Sequence, residues 1–263
     1  MLKPRIEIVN LSKTYGTHEA VKNIRLQVNK GEIFGFLGPN GAGKTTTIKM
    51  MTGLLEPTDG HVLLNGVNIW DKPLEAKRMI AYVPDQPNLY PKLTGWEYLH
   101  FIAEVFEISS SELQKRGQML LDTFSLAERA NDLIESYSHG MKQKIAICGA
   151  LIHQPDIIFL DEPTVGLDPK SARNLKDLLQ TLCNEGMTAF LSTHILEIAE
   201  QMCDRVGIIT KGEILALGTI DELRESGGHK GASLEEIFLQ LTGDQEQQAI
   251  IEELAAHDQG DYS

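Results

Sequence analysis

No apolar run in these 263 residues approaches the roughly 18–20 that a membrane-spanning helix needs. The opening stretch MLKPRIEIVN lacks the apolar stretch of a signal peptide. Cysteine is scarce, with only Cys148, Cys183 and Cys203, and no C-x-x-C spacing joins them. They read as reduced core residues. Positive charge is also in deficit: 24 Lys and Arg face 37 Asp and Glu, for a net charge of −13. Residues 219–263 carry eleven acidic and two basic side chains, so most of the imbalance sits in a C-terminal tail. The clustered Lys and Arg of a nucleic-acid footprint find no support here. No internal repeat is present either. What the chain does have is apolar content, 42%, enough for a full core and too much for global disorder.

That apolar content is distributed in short runs. IEIV, the stretch Val21 to Val28, IFGFL, HVLL, IAYV, DIIFL, TAFL and RVGII read as strands. IFGFL, DIIFL and TAFL are apolar on successive residues, as expected of strands buried on both faces of a parallel sheet. Helical segments lie between them, which predicts α/β architecture with an antiparallel portion near the N-terminus. Residues 95 to about 134 contain no strand signal. Leu99, Ile102, Ala103 and Phe106, then Leu113, Leu120, Leu121 and Phe124, mark two amphipathic helices, so a helical insertion is expected there. SGGHKGAS at 226–233 reads as a linker. LEEIFLQL and QAIIEELAA read as further helices, and HDQGDYS as a frayed end. The expected division is a domain over residues 1–225, with a helical part at about 95–150, and an acidic helical extension over 226–263.

Three stretches carry chemistry. GPNGAGKTT runs through Gly38, Pro39, Asn40, Gly41, Ala42, Gly43, Lys44, Thr45 and Thr46 and fits G-x-x-x-x-G-K-[ST]. It follows a strand and precedes the helical run TTTIKMMTG, which is the context a phosphate-binding loop requires. Glycines let backbone amides turn inward, the helix start adds its dipole, Lys44 reaches the β- and γ-phosphates, and Thr45 can ligate Mg²⁺. IIFLDEP delivers Asp161 and Glu162 at the end of a buried strand, the first suited to a Mg²⁺ shell and the second to polarising a water. Two adjacent acids at a strand end can otherwise serve a turn or helix cap. Together these stretches point to a nucleoside-triphosphate hydrolase. SYSHGMKQK, residues 136–144, starts a helix near Gly140 with Ser138 as its cap. Lys142 and Lys144 then stand at the positive end of the macrodipole, where a cation costs about 0.3–1 kcal/mol. The stretch is either a capped helix with solvated lysines or an anion site.

The ordered motifs resemble those of the ATP-binding subunit of ABC transporters, over roughly residues 4–220. LSKTYG resembles that family's aromatic loop, so Tyr15 would stack on adenine. YVPDQPNLYP stands where the family has its Q-loop, with Asp85, or Gln86 beside it, at the glutamine position. SYSHGMKQK stands at the signature, usually Leu-Ser-Gly-Gly-Gln; only Ser138 and Gly140 match. FLDEPTVGLDP resembles the second Walker motif and the D-loop ending at Asp168, which can equally cap the following helix. STHILEIAE supplies the switch histidine, His194.

The resemblance implies a P-loop NTPase of the ABC ATPase class, with an antiparallel β subdomain, a RecA-like parallel-sheet core and a helical insertion. It implies ATP and Mg²⁺ as cofactors and catalytic roles for Glu162, His194 and Lys44. The expected metal ligands are Thr45, Asp161 and Asp85 or Gln86. It implies a second ATP-binding subunit, a homodimer in preference to a heterodimer, with Ser138 and nearby lysines meeting the partner's nucleotide. A membrane permease would be moved through the insertion and through Tyr90, Leu93 and Trp96, which places the chain on the cytoplasmic face of the membrane. SLEEIFLQLTG resembles the ending of exporter-type cassettes of the ABC-2 and Ecs-like groups and favours export. The rivals are a soluble ABC-type ATPase acting on ribosomes or DNA, and a P-loop GTPase or kinase. For the GTPase the chain shows no Asn-Lys-x-Asp guanine pair, and TKGE at 210–213 is not one.

Overall fold

The computed structural model describes residues 3–226, 233–241 and 243. Most of the expected linker, the QAIIEELAA helix and the HDQGDYS end lie outside the described residues. Two sheets organise the rest. The first contains β1 (Ile6–Tyr15), β2 (His18–Val28), β4 (Asp59–Leu64) and β5 (Val67–Asn68), in the order β2-β1-β4-β5 with every neighbour antiparallel. The second contains β3 (Ile33–Leu37), β6 (Ile80–Val83), β7 (Ile157–Asp161), β8 (Thr188–Thr193), β9 (Arg205–Thr210) and β10 (Glu213–Thr219). Its order is β10-β9-β3-β8-β7-β6, all parallel except the β9–β10 hairpin.

The central strands read as continuous apolar runs because alternate residues serve different layers. Ile157 and Phe159 of β7 face a cluster with the antiparallel sheet and helix α1 (Lys44–Met51), whereas Ile158 and Leu160 face the helical side. Phe34, Phe36 and Phe159 all pack around Phe190 at the centre of the first of these layers. A third cluster lies beyond β9. It joins Val206 and Ile208 to α7 (Leu196–Met202), to α8 (Ile220–Ser226) and to Leu234 and Ile237 from the helical residues 234–241.

After the small α2 (Pro73–Arg78) and β6, the chain leaves the sheet for α3 (Gly95–Val105) and α4 (Ser110–Thr123), then returns through α5 (His139–Leu151) to β7. α6 (Pro169–Asn184) follows β7. Thr94 starts α3 with a capping box, accepting from the Glu97 amide while Glu97 accepts from its own. Ser109 caps α4. The periodic residues Leu99, Ala103, Leu113, Leu120 and Leu121 bury together against α5 and the sheet. Trp96 packs here too, over Gly117, where an added Cβ would stand 2.7 Å from the indole. Leu93 is likewise partly buried against this core. Of the three residues expected to meet a permease, only Tyr90 is strongly exposed, and it stands edge-on to Phe101 of α3 at 5.1 Å. Trp96 and Leu93 are partly buried, and the Trp96 ring gains packing over the Gly117 gap. Among the described residues, no helix is long and apolar enough to cross a membrane.

Candidate active site

β3 ends at Leu37 and the chain turns through residues 38–43 into α1. Gly43, at the cap position, has φ 106°, and a Cβ there would lie 2.7 Å from the Ala20 carbonyl of β2. Only glycine suits both demands. Lys44 folds back over the loop and donates to the carbonyls of Gly38 (2.7 Å) and Pro39 (3.2 Å). Its side chain is 7% exposed, and its ammonium stands 3.6 Å from Glu162. Burial lowers its pKa, and the charges of Glu162 and Asp161 oppose that shift. A cation so placed, held mainly by neutral carbonyls, can exchange them for the stronger acceptors of a polyphosphate.

The end of β7 faces this loop. Asp161 is buried; its Oδ2 accepts from the Thr45 hydroxyl at 2.8 Å and its Oδ1 accepts from the Ser192 hydroxyl of β8. Sequence reasoning missed Ser192, although a polar pair closing the apolar run TAFL is a local signal. Glu162 follows at φ 49°, a left-handed conformation that costs a non-glycine residue about 1 kcal/mol or more. Its amide stays in register by donating to the Ser192 carbonyl at 3.0 Å, and its carboxylate stands 2.9 Å from His194 Nδ1. His194 is half-exposed beside Glu162 and is therefore not a buried core histidine. Five residues from three separate stretches therefore meet: Lys44, Thr45, Asp161, Glu162 and His194.

A second locus forms where α5 begins. Ser138 caps the helix by accepting from the Met141 amide at 3.3 Å; it is exposed, and its own hydrogen is not spent on that bond. Tyr137, at the family's leucine position, is buried and donates to the Arg129 carbonyl at 2.8 Å. Gly140 abuts the loop after Glu162: an added Cβ would lie 2.5 Å from the Gly166 carbonyl oxygen. Lys144 bonds Asp168 at 2.8 Å, and Asp168 also caps α6 by accepting from the Ser171 amide and hydroxyl. The Lys144 ammonium and these donors hold the Asp168 carboxyl well below the usual carboxylate range. Lys144 is thus engaged with an acid of its own chain. Lys142 remains partly exposed at the helix start. Among the described residues, no hydrogen bond or ion pair joins Ser138 or Gly140 to the phosphate loop.

Tyr15 ends β1 at the tip of the β1–β2 hairpin, half-exposed, with the Lys13 ammonium 5.5 Å from its ring. The same hairpin supplies Ala20 beside Gly43. Asp85 is partly exposed and Gln86 exposed; neither forms a hydrogen bond among the described residues, so geometry does not choose between them. Tyr82, at the end of the same strand, has a buried hydroxyl with no partner and was not anticipated.

The family model described as "ABC transporter" matches residues 21–165. Linearmycin resistance ATP-binding protein LnrL of Bacillus subtilis is 42% identical over 83% of the chain and 70% of its own length. ABC-type transporter ATP-binding protein EcsA of the same organism is 35% identical over 90% of the chain and 96% of its own length. Probable multidrug ABC transporter ATP-binding protein YbhF of Escherichia coli is 35% identical over 91% of the chain, which spans only 42% of YbhF's length. Among solved structures, an ATP-binding subunit of an ABC transporter superposes with a TM-score of 0.86 at 38% identity, covering 90% of this chain and 99% of that one. A dimeric post-hydrolysis ATP-binding cassette bound to ADP and phosphate gives a TM-score of 0.75 at 29% identity, covering 82% and 98%.

Proposed function

The chain belongs to the family of ABC transporter ATP-binding subunits, which bind and hydrolyse ATP, and from that premise we propose how its residues divide the work. The observation that carries the proposal is the convergence of Lys44, Thr45, Asp161, Glu162 and His194 within hydrogen-bonding or ion-pair reach. Lys44 leaves the Gly38 and Pro39 carbonyls for the β- and γ-phosphates, and the loop amides up to Thr46 cradle them. Thr45 and Asp161 hold Mg²⁺, with Asp85 or Gln86 completing its surroundings. The Thr45 hydroxyl and the buried Asp161 carboxylate are hard oxygen donors that suit this ion. When bound, Mg²⁺ neutralises phosphate charge. Glu162 accepts the proton of the attacking water, and His194 holds the Glu162 carboxylate in position and reaches the γ-phosphate. Tyr15 stacks on the adenine.

Ser138 and the backbone around Gly140 serve the nucleotide of a second subunit, closing a head-to-tail dimer with two nucleotides at the interface. The dimeric cassette among the similar structures supports this arrangement. The names of LnrL and YbhF, for linearmycin resistance and multidrug transport, favour export through a separate permease. They favour it over a soluble ATPase acting on ribosomes or DNA. The exposed Tyr90 and Phe101 on the insertion form the permease contact, with the chain peripheral on the cytoplasmic face. The ATP-binding domain spans residues 1–225, and the acidic stretch 226–263 follows it, with Leu234 and Ile237 packed against β9.

Complementation tests the arrangement. Ser138→Arg and Lys44→Ala each disable a homodimer. In their heterodimer one site carries both defects, and the other pairs an intact Lys44 with an intact Ser138. Partial single-turnover hydrolysis by verified heterodimers is expected. Heterodimers with no hydrolysis above either homodimer would overturn the trans assignment of Ser138.

A further inference from the structure

Tyr82 lies on β6 opposite Phe159 of β7, and both side chains pack in the cluster beneath α1. Two residues beyond Phe159 on the same strand, and therefore on the same face, is Asp161. A tyrosine is long enough to reach diagonally from one strand to the next residue pair on its neighbour. The Tyr82 hydroxyl thus ends near the Thr45–Asp161 pair, buried, yet it neither donates nor accepts any hydrogen bond. Asp85 follows three residues later, just past the end of β6. A buried hydroxyl without a partner is disfavoured by the fold alone, and such a group in a native site calls for an occupant.

On the reading that Thr45 and Asp161 hold a divalent cation, we propose that Tyr82 is a positioning residue of that site. Its hydroxyl donates to the acid pair Asp161 and Asp85 when they close around the ion. The chemistry suits the place. A carboxylate oxygen has two lone pairs, so Asp161 can accept a further bond beyond those from Thr45 and Ser192. Burial, then the negative charges of Asp161 and Asp85, push the Tyr82 pKa upward, so the phenol keeps its proton and remains a donor. Phenol is also the right length where serine is not: it spans the apolar layer and delivers one polar atom at its far edge. The role differs from that of a ligand. Tyr82 orients the acids, and through them the ion.

Tyr82→Phe removes the hydroxyl and nothing else. The nucleotide-free, metal-free protein should melt at the same temperature or slightly higher, because an unsatisfied group has gone. ATP binding in EDTA should be unchanged. Mn²⁺ binding in the presence of a non-hydrolysable ATP analogue, read by electron paramagnetic resonance, should weaken about tenfold, as expected when an outer hydrogen bond to a ligand is lost. Mn²⁺ affinity within twofold of the parent would overturn the proposal. So would a lowered melting temperature together with weaker ATP binding in EDTA, which would make Tyr82 a packing residue. Thr45→Val separates this from the underlying reading. If Thr45→Val weakens Mn²⁺ binding and Tyr82→Phe does not, the Tyr82 proposal alone fails; if neither does, the metal site itself is misassigned.

Discussion

Gly140→Ala should destabilise the protein, the opposite of what its helical position implies. Exchanging glycine for alanine within a helix normally gains up to about 1 kcal/mol, because alanine has less backbone freedom to lose. Gly140 lies in the first turn of α5, where the new Cβ would stand 2.5 Å from the Gly166 carbonyl oxygen. That oxygen is poorly placed to move. The turn bearing it is held by bonds from the Val165 amide to the Glu162 carbonyl (3.2 Å) and from the Leu167 amide to the Thr164 carbonyl (3.1 Å). Gly166 itself has φ 79°. Overpacking of this kind costs about 1–3 kcal/mol. Set against the propensity gain, the net loss is about 1 kcal/mol, which lowers the melting temperature of a chain this size by about 2–4 °C. Urea unfolding with an unchanged slope should report the same loss. His139→Ala should not rescue it, because the obstacle is backbone oxygen rather than the neighbouring ring. ATP affinity of the isolated subunit should stay at the parent value, since the phosphate loop is untouched. A gain in stability would refute the close-contact account and leave Gly140 with only its expected role of exposing amides to phosphate.

Glu162→Gln should retain ATP and lose at least about a hundredfold in turnover, the usual worth of a general base, with an ATP-trapped dimer visible by size exclusion. Parent-level hydrolysis would remove Glu162 from the role of base. Asp85→Asn should raise the Mg²⁺ concentration for half-maximal hydrolysis while Gln86→Ala leaves it unchanged; the reverse pattern would assign the role to Gln86. Trp96→Ala should cost about 2–4 kcal/mol in a denaturant melt by opening a cavity over Gly117, whereas Tyr90→Ala should stay within about 0.5 kcal/mol. Equal effects of the two would contradict the packing described for Trp96.

The phosphate loop and the Asp161–Glu162 pair were legible because each is local: a contiguous string, delivered by one strand and fixed by one turn. The buried strands were legible from unbroken apolar runs. β5 and β10 were not anticipated, although both are announced by two-residue hairpins, at Asn65–Gly66 and Lys211–Gly212, where all four residues have positive φ. TKGE, weighed only as a nucleotide motif, is one of those turns. β10 also carries an apolar run, Ile214 to Leu217, that went unread, although as an edge strand it is only half-buried. Contacts between distant stretches were illegible in principle. Nothing near Gly140 announces Gly166, and nothing near Lys144 announces Asp168, 24 residues away. Trp96 shows the same limit: an aromatic beside a helix start reads as surface or core with equal ease until Gly117 is placed opposite.

The contacts of Gly140 and Lys144 meet on one short segment. At its start, Glu162 is fixed to β8 through the Ser192 carbonyl and to His194 through its carboxylate. At its end, Asp168 caps α6 and holds Lys144. Between them, the Gly166 carbonyl presses on Gly140. The acid at the end of β7 and the start of α5 are therefore braced to each other within one chain, before any second subunit is considered. The brace is not saturated. Gln143, one turn along α5 from Gly140, buries both ends of its amide without a partner, and Thr164 buries its hydroxyl likewise. Each unmet group of this kind costs about 1–3 kcal/mol. The junction thus combines tight steric contact with unmet hydrogen-bonding capacity. A larger residue at position 140 would therefore press directly on the segment that carries Glu162 at one end and Asp168 at the other.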